Sequence, residues 1–140
     1  MGITITAKNP KFSFDMGGSG FFNLRKNIAL SLDKEFGENY AKLIYCHSKE
    51  DYENHDKTAN QIIQDKHLDE NYTAVLDFLY ASDETGKINY KTCKQIYDLI
   101  APISFKNKSF RYGAYSHNDY EEFKIFLLDC YSHHKNMIWY

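Results

Sequence analysis

This chain lacks a disulfide framework, a membrane span and a strong net charge. Three cysteines, Cys46, Cys93 and Cys130, occur in 140 residues. An odd number with no Cys-x2-Cys pair makes neither a disulfide scaffold nor a standard zinc motif. The opening GITITA is too short for a signal peptide and lacks its positive leading segment. No apolar run approaches the roughly 20 residues that cross a bilayer. These absences predict reduced, buried thiols in a cytoplasmic protein that does not enter a membrane. The formal charge is −2, so there is no global basic footprint for nucleic acid.

Diagnostic catalytic motifs are missing too. Asp15-Met16-Gly17-Gly18-Ser19-Gly20 has several backbone N–H groups that suit an anion at a helix start. Its spacing matches neither a Walker loop nor a dinucleotide fingerprint, so it reads first as a tight lead-in that lets Phe21 and Phe22 pack. Ser82–Lys87 faintly resembles a calcium loop. With Gly86 at the sixth place, Ala81 and Thr92 fall where an oxygen ligand and a bidentate carboxylate are required. Cys46-His47 with Cys130, His133 and His134 is the densest set of metal-ligand types. Nothing in the spacing brings the two groups together. Cys46 and Cys130 read as core residues, with the histidines near helix ends. No catalytic residue, metal or cofactor is assigned.

What the chain does have is aromatic surface. Its 12 Tyr and 10 Phe predict an aromatic-rich core, with some tyrosines left outside because a buried phenol needs a polar partner. The clearest local pattern is Tyr72–Ile100. Tyr72, Val75, Leu76, Leu79 and Tyr80, then Cys93, Ile96, Tyr97 and Ile100, recur at helical spacing. Gly86 supplies turn freedom between the two helices, Asn89 caps the second, and Ala101-Pro102 ends it. Earlier, Phe21, Leu24, Ile28, Leu32 and Phe36 predict one helix from Gly20 to Phe36, stopped by Gly37. Arg25 and Lys26 read as solvated. Asn39–Tyr45 and Lys57–Lys66 are shorter helical segments. His47–His55 is a polar loop or a solvated helical extension, and Asp69 or Asn71 caps the helix that follows.

At the ends, Gly2–Ala7 and the segment of Phe12 and Phe14 read as short extended pieces. Met137-Ile138-Trp139-Tyr140 reads as a terminal strand that pairs with Gly2–Ala7 or joins an oligomer interface. Ser116 and Asp119 open a last helix with Tyr120, Phe123, Leu127 and Cys130 as its buried stripe, extended by Phe126 and Tyr131. The stretch from Ile103 to Tyr115 is irregular and interleaves cations with aromatics. That pattern covers a core, meets a protein, or stacks on single-stranded nucleic acid; nucleic acid is the weakest of the three. Charge is uneven: eight acidic and three basic residues lie in His47–Asp77, and six basic and one acidic in Lys87–Arg111.

The stretches FFNLRKNIA, YASDETGKINYKTCKQIY and MIWY resemble a family of short uncharacterised proteins of Gram-positive bacteria and their mobile elements. The resemblance implies no activity and assigns no role to Asp15, Arg25, Asp83 or Gly86. It implies regulation or inhibition of a host protein. The abundance of Lys, Asn, Ile and Tyr fits an A·T-rich bacterial or bacteriophage genome. The sequence therefore predicts one α+β domain over residues 1–140, predominantly helical, with about five helices and a small terminal sheet. The expected role is a non-enzymatic protein-interaction or regulatory one, its partner a host protein or another copy of the chain. The expected contact residues are Phe105, Arg111, Tyr112 and Tyr115, then Trp139 and Tyr140. The alternative is a small metal- or ligand-binding protein with hydrolytic activity.

Overall fold

The computed structural model describes residues 2–7, 13–105, 108–110 and 119–140. Alternation builds the sheet. In β1 (Gly2–Thr6) Ile3 and Ile5 point inward between Thr4 and Thr6, and in β2 (Phe14–Gly17) Phe14 and Met16 flank the exposed Asp15. The two strands are antiparallel with Ile3 opposite Met16 and Ile5 opposite Phe14, and Thr4 donates to Asp15 across the pair at 2.6 Å. The terminal strand β4 (Met137–Trp139) lies on the other side of β1, as the ends of the sequence suggested. A further strand, β3 (Gly86–Ile88), completes a four-stranded antiparallel sheet of order β2-β1-β4-β3. Helices then cover its apolar face, giving an α+β fold that is predominantly helical.

Six α-helices occur among the described residues: α1 (Gly18–Leu32), α2 (Lys34–Ala41), α3 (Lys49–Asp65), α4 (Leu68–Leu79), α5 (Tyr90–Ile100) and α6 (Asp119–Ser132). A 3₁₀ turn spans Lys42–Tyr45. The expected single helix to Phe36 is two. Asp33 is extended, and its carboxylate accepts the Phe36 N–H at 2.9 Å, which starts α2. Lys66 holds the same carboxylate at 3.0 Å. Gly37 does not terminate a helix. It sits inside α2 where a Cβ would come 2.4 Å from the Leu30 Cα, so its role is close helix packing. The polar stretch after His47 is helical, because Ser48 and Asp51 form a reciprocal capping box at the start of α3. Neither Asp69 nor Asn71 caps α4. His67 precedes it in the left-handed region, at φ 54°.

Two expectations hold for local reasons. Asn89 accepts the Lys91 N–H at 2.8 Å, and α5 stops at Ile100 before Ala101-Pro102. The α6 stripe of Tyr120, Phe123, Phe126, Leu127 and Cys130 is buried, whereas Tyr131 is exposed. Ser116 lies outside the described residues. Asp119 is buried and accepts from Ser109 Oγ, Phe110 N and Tyr120 N, so it ties Ser109 and Phe110 to the start of α6.

Gly86 is not a left-handed turn residue. It faces Trp139 across the β3–β4 pair, and a Cβ there would lie 2.0 Å from a ring carbon of the indole. The absent side chain lets Trp139 lie flat over the strand. Trp139 reaches Phe21 and Phe78 at 5.6 and 5.8 Å and donates its indole N–H to the Ser82 carbonyl at 2.9 Å. No helix among the described residues is long and apolar enough to cross a membrane.

Candidate functional site

Arg25 is the residue whose placement departs furthest from its sequence reading. Only 4% of its surface is accessible. Its guanidinium lies 4.1 Å from the Phe21 ring centre and 5.3 and 5.5 Å from those of Phe78 and Trp139. Its two terminal nitrogens donate to the Ala81 and Ser82 carbonyls at 2.9 and 3.1 Å. Burial lowers its pKa, against the opposing pull of Tyr40 and Asp83. Delocalised charge and weak hydration suit Arg to such an aromatic site. The consequence is structural: Arg25 pins the turn after α4 against α1.

That turn forms one wall of an open cleft of about 750 Å³. Gly18, Phe21, Phe22 and Arg25 fall at i, i+3, i+4 and i+7 of α1 and supply a second wall from a single helix face. Leu43 and Ile44 of the 3₁₀ turn, with Tyr52 and Asp56 one turn apart on α3, supply the third. Tyr40 closes the floor. Its hydroxyl donates to the Leu79 carbonyl at 2.9 Å, its ring stacks on Phe22 at 6.0 Å, and Tyr80 meets it edge-on at 5.8 Å. Burial pushes the Tyr40 phenol up to about 12, partly offset by Arg25. The Tyr80 phenol is also raised, by burial first and then by Tyr40 and Asp56.

No family model, curated protein or solved structure matches this chain. The site is therefore read from its own geometry.

Of the expected contact residues, Phe105, Trp139 and Tyr140 are described, and only Tyr140 is exposed. Phe105 is buried and stacks on Tyr120 at 4.3 Å, with the Lys124 ammonium 5.4 Å from its ring. Trp139 is buried in the core. Each ring carries a large apolar area whose removal from water is favourable, so packing draws both inward. Tyr140 is 61% exposed, although its backbone pairs with Thr4. Arg111, Tyr112 and Tyr115 lie outside the described residues.

The Cys/His set does not converge. Cys130 is buried, with its thiol pKa raised by the neighbouring Cys93 first and then by burial, while Cys46 and His47 line the cleft. Cys46 is only partly covered, contrary to its expected core position. Partial desolvation, then Asp51 and Asp56, raise its pKa. Among the described residues no three His, Cys, Asp or Glu side chains are grouped to hold a metal ion.

Sequence reading missed Arg25, Tyr52, Tyr80 and Asp56 as one site. One signal was present: Tyr52 stands among polar residues, where no helical stripe asks for it.

Proposed function

We propose that this protein acts by binding another protein, and that the cleft is its recognition surface. The carrying observation is where apolar surface stays exposed. Ile44, Tyr52 and Tyr80 line the cleft at 59, 49 and 41% exposure, and Tyr45 beside them is 75% exposed. Aromatic residues that remain outside a filled core are the usual anchors of interfaces. A host protein is the partner class implied by the resemblance to mobile-element proteins, and the role is regulatory. A small molecule is the second reading, favoured by the cleft volume of about 750 Å³, within the range of roughly 300–1,000 Å³ typical of such sites.

The test is binding of a partner identified by co-purification from the host, measured with both components pure. Tyr52→Ala with Tyr80→Ala is expected to weaken the complex by more than about tenfold, as loss of aromatic anchors does, with circular dichroism unchanged. A complex that forms equally well with the double variant refutes the assignment. A small molecule carried through purification and lost in the same variant supports the second reading.

A further inference from the structure

Resting on that reading of the cleft, we infer that it receives a basic side chain, lysine or arginine, from a segment of the partner protein. The charges that meet a visitor are negative. Asp56 and Asp83 line the cleft and are exposed. Neither has a Lys or Arg ion-pair partner among the described residues, although His55 Nδ1 lies 3.9 Å from Asp56 and Asp83 opposes the lowering of the Arg25 pKa. By contrast, Glu38, Glu53 and Asp98 each pair with a lysine one turn away. Arg25 is the cation in the wall, but it is buried and its terminal nitrogens are committed to Ala81 and Ser82.

The aromatic walls point the same way. Phe22, Tyr40, Tyr52 and Tyr80 all border the space. Ring faces attract cations, most strongly where water is displaced. The protein already holds one guanidinium at 4.1 Å over Phe21 on the same helix face. Leu43 and Ile44 would cover the aliphatic stem of a lysine or arginine. One feature favours an anion: α1 begins at the cleft with no side-chain cap and no acidic residue in its first turn. A helix end is worth about half a positive charge. Even with Arg25 counted in full, that does not outweigh the two carboxylates.

The experiment is a titration of the full-length ¹⁵N-labelled chain. The probes are N-acetyl-arginine methylamide and N-acetyl-lysine methylamide, against neutral N-acetyl-citrulline methylamide, N-acetyl-glutamate methylamide and inorganic phosphate. Saturable shifts at Ser19, Ile44, Tyr52 and residues 80–83 are expected with the two cationic probes. The citrulline probe is expected to bind more weakly, and Asp56→Asn with Asp83→Asn to reduce cation affinity by roughly three- to tenfold, as loss of exposed ion pairs does. Equal binding of citrulline, no cleft shifts with either cation, or shifts only with glutamate or phosphate overturns the proposal. A partner complex weakened by Tyr52→Ala with Tyr80→Ala but unchanged by the Asp→Asn pair leaves the cleft as the interface and removes the basic side chain. A complex insensitive to both pairs removes both.

Discussion

Replacing Gly86 by alanine separates two accounts of this glycine by the sign of the effect. Its φ is not in the left-handed region, so backbone preference alone predicts stabilisation of about 0.4–1 kcal/mol from a less flexible unfolded chain. The structure predicts the reverse. The new methyl would lie 2.0 Å from the Trp139 Cζ2 and 2.3 Å from its Cε2. The indole is fully buried against Phe21 and Phe78, so the ring has no open direction in which to yield. Overpacking of this kind costs about 1–3 kcal/mol, and a displaced indole also loses its bond to the Ser82 carbonyl, worth about 1 kcal/mol. Set against the backbone gain, the net loss is about 2 kcal/mol, or roughly 6–8 °C in Tm for a chain of this size. Urea and thermal unfolding measure it. Trp139 is the sole tryptophan, so its emission reports the same displacement directly and is expected to shift to the red. An alanine variant that is as stable as the parent, with unchanged emission, would refute the close-approach account.

Arg25→Met keeps most of the side-chain volume but removes its donations to the Ala81 and Ser82 carbonyls, of which Ser82 keeps the Trp139 indole N–H. A loss of about 2 kcal/mol is expected, and equal unfolding midpoints would contradict it. Under native conditions a disulfide reagent is expected to modify Cys46 alone, because Cys93 and Cys130 are buried. All three thiols react in denaturant. Since the thiolate is the attacking form and the Cys46 pKa is raised, its rate should keep climbing at pH values where a free cysteine has levelled off; a rate already flat there argues against the raised pKa. Alkaline stability tests the buried phenols. Tyr40 has a folded pKa of about 12 against 10.0 when free. The unfolded chain therefore holds fewer protons between these values. This contribution is full below pH 10 and is lost as the pH rises towards about 12. A Tyr40→Phe variant is expected to show a shallower loss over that window, and an unchanged slope would refute the assignment.

How much was legible in the sequence depended on the distance over which each residue acts. Asn89 and Pro102 act on their own backbone neighbourhood, so the limits of α5 could be read directly. The α6 stripe and the alternation of Ile3 and Ile5 are period signals, and apolar surface has to be buried wherever it lies. Pairing of the two terminal strands followed from the need to satisfy exposed edges. The break at Asp33 was harder to see. The apolar stripe continues across it, and the competing signal is a single carboxylate that prefers to cap.

The sequence by itself determined the class of fold, the main helices and an aromatic core, because propensity, capping and periodicity are local properties of the chain. Only the tertiary structure decided what Gly37, Gly86 and Arg25 are for. Each answers to a neighbour far along the chain or on another element: Leu30, Trp139, and the Ala81 and Ser82 carbonyls. The same holds for the cleft. Phe22, Tyr40, Tyr52 and Tyr80 come from four separate segments, and no period within one segment encodes a surface that exists only once the helices have packed.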